Sequence, residues 1–143
     1  MSRLADTFAR LRAEGRPGLV TYVTAGDPDL SRSAAILRAL VRAGADVLEV
    51  GVPFSDPLAD GPVIQRATER ALAAGGSLRA SLDMIEAVRQ DVQAPIVIFS
   101  YANPIVRMGL EAFAARAATV GVDGVLALDL PVEEADEFRN VLS

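Results

Sequence analysis

Residues 44–62 read GADVLEVGVPFSDPLADGP, and this stretch decides both the fold and the function that we predict. The apolar run 47–50 is typical of a buried parallel strand, yet it carries the carboxylate of Glu49 between Leu48 and Val50. Burying a charge is costly unless the charge is paired or protonated. A second carboxylate, Asp60, follows in a loop rich in Pro, Asp and Gly. This combination indicates an active site.

Outward from this stretch, short apolar runs alternate with longer amphipathic ones, which predicts βα units and a parallel sheet. Two helices, rather than one, separate the second and third strands. The predicted strands are 18–24, 47–50, 96–100 and 125–128, and the predicted helices are 2–14, 31–43, 62–74, 77–92, 109–120 and 133–142.

The sequence also contains an internal similarity. Residues 44–53 resemble residues 121–131, GVDGVLALDLP, with Gly124 as a single insertion. In both stretches a glycine ends a helix, an apolar strand follows, and a loop with proline leaves the strand. The similarity is explained either by a repeated βαβα unit or by coincidence between two Gly-, Ala- and Val-rich segments.

Four strands occupy the 143 residues, whereas a closed (β/α)₈ barrel needs about 250 residues. We therefore expect one domain, 1–143, that is either half of a barrel or a small open sheet. A half-barrel has two unpaired edges and an uncovered inner face, which favour dimerisation or aggregation.

The composition restricts the chemistry. The chain has no Cys, no His and no Lys, and all 14 of its cations are Arg. Thiolate nucleophiles, histidine bases and lysine Schiff bases are therefore excluded on this chain, and acid–base catalysis falls to Asp, Glu or Tyr.

The net charge of −5 argues against nucleic acid as a partner. No apolar run approaches the roughly 18 residues of a membrane span, and the start lacks a signal-peptide core.

Active sites of parallel sheets form at the carboxyl ends of strands. There, Glu49 is expected to donate and accept protons; the alternative is a structural pair with an arginine or a backbone amide. Asp60 is either functional or the N-cap of the next helix, and Asp56 is expected to form a turn or a surface contact. Tyr101 either lines the site or belongs to a turn before proline. Asp129 orients Glu49 or Tyr101, or it satisfies loop amides. Other polar candidates at these ends are Tyr22, Thr24 and Asn103.

Residues 48–61, LEVGVPFSDPLADG, resemble the signature of the tryptophan synthase alpha subunit family. Residues 21–28 (TYVTAGDP), 101–104 (YANP) and 129–134 (DLPVEE) match further stretches of that family in order. The resemblance implies a (β/α)₈ TIM barrel, of which this chain covers about the first four βα units. It also implies a cytoplasmic lyase that cleaves indole-3-glycerol phosphate to indole and glyceraldehyde 3-phosphate in tryptophan biosynthesis.

The resemblance further implies roles for individual residues. Glu49 matches the general acid–base of the family, and Asp60 matches its second catalytic carboxylate. No cofactor or metal is expected on this chain, whereas the family pairs with a beta subunit that carries pyridoxal phosphate. The residues expected to bind substrate are Tyr22, Phe99, Tyr101, Leu126, Leu128 and Asp129, and those expected near the beta subunit are Pro53, Asp56 and Pro57.

Members of the family are about twice as long, and their phosphate-binding loops follow the later strands. We therefore expect little or no lyase activity from this chain alone. The main alternative is a non-catalytic half-barrel that associates with itself or docks on a beta subunit. Another phosphate-binding barrel ranks last, because such enzymes commonly use Lys or His.

Overall fold

A computed structural model describes residues 2–143 and contains four parallel strands, seven α-helices and one short 3₁₀ helix. Within these residues no helix is long and apolar enough to cross a bilayer. In chain order the elements are α1 Arg3–Glu14, β1 Val20–Thr24, α2 Leu30–Arg42, β2 Val47–Gly51, α3 Pro62–Ala73, α4 Leu78–Arg89, β3 Ile96–Ser100, α5 Ala102–Met108, α6 Leu110–Val120, β4 Gly124–Ala127, the 3₁₀ helix Val132–Glu134, and α7 Asp136–Leu142.

All four predicted strands and all six predicted helices are confirmed, with ends that differ by at most three residues. Local capping explains several of these ends. The side chains of Ser2, Asp29 and Ser77 each accept a hydrogen bond from a backbone amide of the first helical turn. Two predictions were incomplete: α5 was not expected, and the predicted helix 133–142 is divided into the 3₁₀ helix and α7.

The sheet has the order β1-β2-β3-β4, so each strand pairs with its neighbour in the sequence. A doubly wound sheet instead reverses direction at a switch point. The sequential parallel order is that of a barrel segment, and it favours the half-barrel over the small open sheet.

The two faces of the sheet differ in character. One face packs against α2, α4 and α6, and its aliphatic side chains are fully buried in the main core. Leu48, Val50, Ile96 and Ile98 belong to this face. Because side chains alternate along a strand, the residues between them point to the opposite, inner face. Glu49 is therefore on the inner face, away from the helices.

The amino ends of the strands contain a buried carboxylate, that of Asp46. It accepts hydrogen bonds from the backbone amide of Leu19 (2.9 Å) and from Arg16 (2.8 Å), and Arg10 of α1 approaches to 3.3 Å. The Arg16 guanidinium, together with the Leu19 amide, holds the pKa of Asp46 well below its usual range. These contacts join the start of β2 to the start of β1.

Asp123 repeats this arrangement at the start of β4. Its Oδ2 accepts from the Ile96 amide (2.9 Å) and from Arg89 (2.8 Å), while Arg3 of α1 reaches its Oδ1 at 3.0 Å. Asp46 and Asp123 occupy equivalent positions in the two similar stretches 44–53 and 121–131. The shared contacts favour a repeated unit of two strands over coincidence.

Candidate active site

The inner face brings four of the predicted site residues together near the carboxyl ends of the strands. Tyr22 of β1 lies opposite Glu49 of β2 in the register. Phe99 of β3 lies opposite Gly51 on one side and Leu126 of β4 on the other. Because side chains alternate between the two faces of a strand, these four side chains lie on the same surface.

Glu49 is half-buried, between a fully buried Leu48 and Val50. Among residues 2–143, no arginine lies within 4 Å of its carboxylate and no amide donates a hydrogen bond to it. The alternative in which Glu49 forms a structural pair with an arginine or a backbone amide is therefore wrong. Its carboxyl group is available to a ligand on the inner face.

An aromatic pair stands beside Glu49. The rings of Tyr22 and Phe99 meet edge to face, with centroids 5.3 Å apart. Burial raises the pKa of the Tyr22 hydroxyl, and the nearby charges of Asp60 and Glu49 act in the same direction. The hydroxyl therefore remains a proton donor at neutral pH, in the field of both predicted catalytic carboxylates.

Gly51 makes room for this pair. A methyl group at position 51 would overlap the Tyr22 hydroxyl and stand 2.5 Å from Cζ of the same ring. The strand predicted from the sequence ends at Val50 and leaves Gly51 outside, whereas the observed strand includes it. A glycine inside a strand often marks such a close approach.

Replacing Gly51 with Ala is expected to displace the Tyr22 ring and to lower the free energy of unfolding by about 1–3 kcal/mol, the usual cost of overpacking. Urea denaturation followed by circular dichroism measures this change. In a Tyr22→Leu background the same substitution should cost clearly less, because the overlapping ring is gone. Equal costs in both backgrounds would show that the Tyr22 ring is not what position 51 accommodates.

Asp60 is held by Tyr101. The Tyr101 hydroxyl donates to Oδ2 of Asp60 (3.1 Å) and accepts from the Ala59 amide (2.9 Å). The Tyr101 side chain is only 4% exposed, and its ring lies 5.5 Å from that of Phe54. Burial raises the pKa of Tyr101, and the charge of Asp60 adds to the shift. The phenol therefore stays protonated as a donor to Asp60.

Asp60 does not cap α3, so that interpretation is wrong. The N-cap is Gly61, which has no side chain to offer, and Pro62 occupies the first helical position. Because proline has no backbone N–H, the first turn of α3 has one fewer amide that needs a capping acceptor. The carboxylate of Asp60 thus remains free of the helix terminus.

The segment 101–104 is not a turn before proline. It opens α5, with Pro104 tolerated in the first turn. Asp129 supplies the missing cap, since its Oδ1 accepts from the Ala102 amide at 2.7 Å. This contact agrees with the prediction that Asp129 accepts a hydrogen bond from a backbone amide. Asn103 is exposed in α5.

The remaining predicted positions lie in loops or at the open edge of the sheet. Leu126 is 44% exposed on the inner face, and Leu128 follows the end of β4 with its amide bonded to the Ser100 carbonyl. In the loop after β2, Pro53 is buried, Asp56 is exposed and Pro57 is half-buried. The binding roles of these residues stay predictions.

Residues 2–143 contain no group of three or more acidic side chains arranged to hold a metal ion. Glu49 lies opposite Tyr22 in the register and Asp60 is bonded to Tyr101, so both carboxylates stand beside aromatic side chains.

Comparison with known proteins gives a consistent result. The family model for the tryptophan synthase alpha chain matches residues 8–143. The alpha chains of Burkholderia thailandensis and Geobacter sulfurreducens are each 58% identical over 139 residues, covering 96% and 97% of this chain. The same alignments cover 51% and 53% of the relatives, so the chain spans about half their length.

Solved structures give the same result as the sequence comparisons. The alpha subunit of tryptophan synthase from Legionella pneumophila superimposes with a TM-score of 0.97 at 43% identity, over 99% of this chain and 55% of that one. Tryptophan synthase from Mycobacterium tuberculosis, in its aminoacrylate-bound form, gives a TM-score of 0.93 at 41% identity, over 99% and 57%. The sheet is thus the first half of a (β/α)₈ barrel, as expected, and the chain belongs to the tryptophan synthase alpha chain family.

Proposed function

We propose that this chain supplies the acid–base residues of a lyase that cleaves indole-3-glycerol phosphate to indole and glyceraldehyde 3-phosphate. The observation that supports this most strongly is the unpaired Glu49 carboxylate on the inner face. Asp60 is likewise without an ion-pair partner among residues 2–143, and, besides burial, its charge and that of Glu49 both raise the pKa of the Tyr22 hydroxyl. Two unneutralised carboxylates beside aromatic rings suit a reaction that develops positive charge on an indole.

In the proposed mechanism the indole ring itself accepts the electrons of the bond that breaks. Glu49 delivers a proton to C3 of the ring, and Asp60 stabilises the positive charge that develops on the indole nitrogen. Loss of the proton from the side-chain hydroxyl then forms the aldehyde as the C–C bond breaks. The bonding electrons return to the ring and restore indole. Glu49 assists removal of the hydroxyl proton, so the number of protons balances over one turnover.

The apolar surface beside Glu49 would hold the indole ring. Tyr22 and Phe99 provide aromatic edges, and Leu126 and Leu128 extend the surface toward β4. The phosphate of the substrate needs several donors, whereas Tyr22 alone among these side chains carries one. In (β/α)₈ barrels the phosphate-binding donors follow strands seven and eight. Remote binding energy of this kind orients the reacting centre. We infer that turnover requires those further strands.

A second function is docking, which the exposed apolar side chains support. Leu58 is 92% exposed at the tip of the loop that carries Pro53, Asp56 and Pro57, a geometry that fits contact with a beta subunit. Leu19, Val20 and Leu126 are about half exposed along the open sheet, which would favour association between two copies.

The test compares two proteins: the 143-residue chain, and the same chain joined to the second half of a related alpha chain. We expect indole release only from the joined protein, with light scattering reporting its mass. Turnover by the 143-residue chain as a monomer would contradict the requirement for further strands. Stable dimers of the short chain, together with an inactive joined protein, would favour the docking function.

A further inference from the structure

The Asp60 carboxylate lies in a long loop that has few connections to the rest of the fold. Between residues 53 and 60, the hydrogen bonds of the described structure that leave the loop go to two side chains. Gln65 of α3 donates to the Asp60 carbonyl (2.8 Å), and the Tyr101 hydroxyl bonds to the Ala59 amide and to the Asp60 carboxylate. Among residues 2–143, Tyr101 alone donates a hydrogen bond to the Asp60 carboxylate itself.

Tyr101 is in turn held from the next strand. It is the last residue before α5, and its own side chain does not cap that helix. The cap comes from Asp129, beyond the end of β4, at 2.7 Å from the Ala102 amide. This is a short, charge-assisted bond. The Ser100 hydroxyl also donates to the Tyr101 carbonyl (2.8 Å), so both polar groups of the peptide that follows Tyr101 are restrained.

We propose that Asp129 is a positioning residue that acts through Tyr101 on Asp60. This proposal rests on the proposed catalytic role of Asp60. Asp129 fixes the peptide at which Tyr101 leaves β3, and this peptide sets the depth and direction of the buried phenol. The phenol then fixes the Asp60 carboxylate and the Ala59 amide in one orientation. Asp129 thus affects the reaction without touching the reacting atoms.

Two measurements test this chain of contacts. In the 143-residue chain, hydrogen exchange of the Ala59 amide is followed by NMR, because that amide donates to the Tyr101 hydroxyl. Tyr101→Phe removes the acceptor and preserves the ring, and Asp129→Ala removes the cap. Both are expected to speed exchange of Ala59 about fivefold to tenfold, which corresponds to the loss of one hydrogen bond of about 1–1.4 kcal/mol.

In the joined, full-length protein, Asp129→Ala is expected to lower kcat about tenfold to a hundredfold with little change in KM, because a misplaced group costs rate more than affinity. Asp129→Asn keeps the accepting oxygen and should restore part of the rate. In an Asp60→Asn background, Asp129→Ala should have no further effect. Asp136→Ala, which removes an exposed acid paired only with Arg139 of its own helix, is the control.

Unchanged exchange of Ala59 in Asp129→Ala would overturn the proposal. So would an equal loss of kcat with and without the Asp60 carboxylate, or a rise in KM at constant kcat. Normal turnover in Asp60→Asn alone would instead refute the catalytic role of Asp60, whereas exchange of Ala59 would still report whether Asp129 controls the loop.

Discussion

Replacing Glu49 with Gln in the joined, full-length protein is expected to abolish cleavage of indole-3-glycerol phosphate, with kcat lower by about 10⁴-fold. Glutamine has the same shape, so the half-buried position between Leu48 and Val50 is preserved. It cannot deliver or accept a proton, however, and general acid–base catalysis contributes about 10²–10⁴-fold. We expect the upper end because Glu49 serves both proton transfers.

Steady-state indole release gives kcat and KM, and calorimetric titration gives the affinity for the substrate. Affinity should change by less than about threefold, because a carboxamide and a carboxyl group fill the same space. Glu111→Gln, an exposed substitution in the first turn of α6, is the matched control and should leave turnover unchanged. Near-normal kcat in Glu49→Gln would remove Glu49 from the mechanism.

The fold could be predicted from the sequence because the local signals agree with one another. Strand β3 was predicted with its observed bounds, since proline and serine flank a run of β-branched and aromatic residues. The inner position of Glu49 agrees with the alternation of side chains along β2, because its two neighbours are aliphatic and face the helices. The order of the strands in the sheet was expected only through the family resemblance.

The details that local patterns missed depend on partners that are distant in the sequence. Helix α5 begins where a Tyr-Ala-Asn-Pro segment resembles a turn, and its cap is Asp129, 27 residues away. Asp60 resembles an N-cap from its immediate neighbours, yet its carboxylate bonds to Tyr101, 41 residues away. Periodicity and capping rules describe contacts within a few residues, so neither bond could be recognised without the fold.

The similar stretches 44–53 and 121–131 also show what local patterns cannot predict. The similarity is visible in the sequence, but the contacts that the two stretches share are not. Asp46 and Asp123 each connect the starts of two adjacent strands through a buried carboxylate, a backbone amide and two arginines. These sites lie at the amino ends of the strands, opposite the predicted active site, where barrels carry residues that serve stability.

Replacing Asp123 with Ala is therefore expected to lower the free energy of unfolding by about 3–5 kcal/mol without any direct effect on the chemistry. The side chain of Asp123 is 4% exposed and that of Arg89 is 12% exposed, so the substitution leaves a guanidinium in a largely buried position without its counter-ion. It also leaves the Ile96 amide at the start of β3 without an acceptor. Burial lowers the pKa of Arg89, and the charge of Asp123 acts in the opposite direction.

Urea denaturation followed at 222 nm measures the loss, since the chain contains no tryptophan to report by fluorescence. Asp83→Ala is the matched control, because it removes one acid from an exposed pair with Arg116 and should cost only a small fraction as much. Replacing Arg89 and Asp123 together with Met and Leu should recover most of the stability, because no buried charge then remains unpaired. A loss in Asp123→Ala no larger than that in Asp83→Ala would mean that the buried carboxylate contributes little to joining β3 and β4.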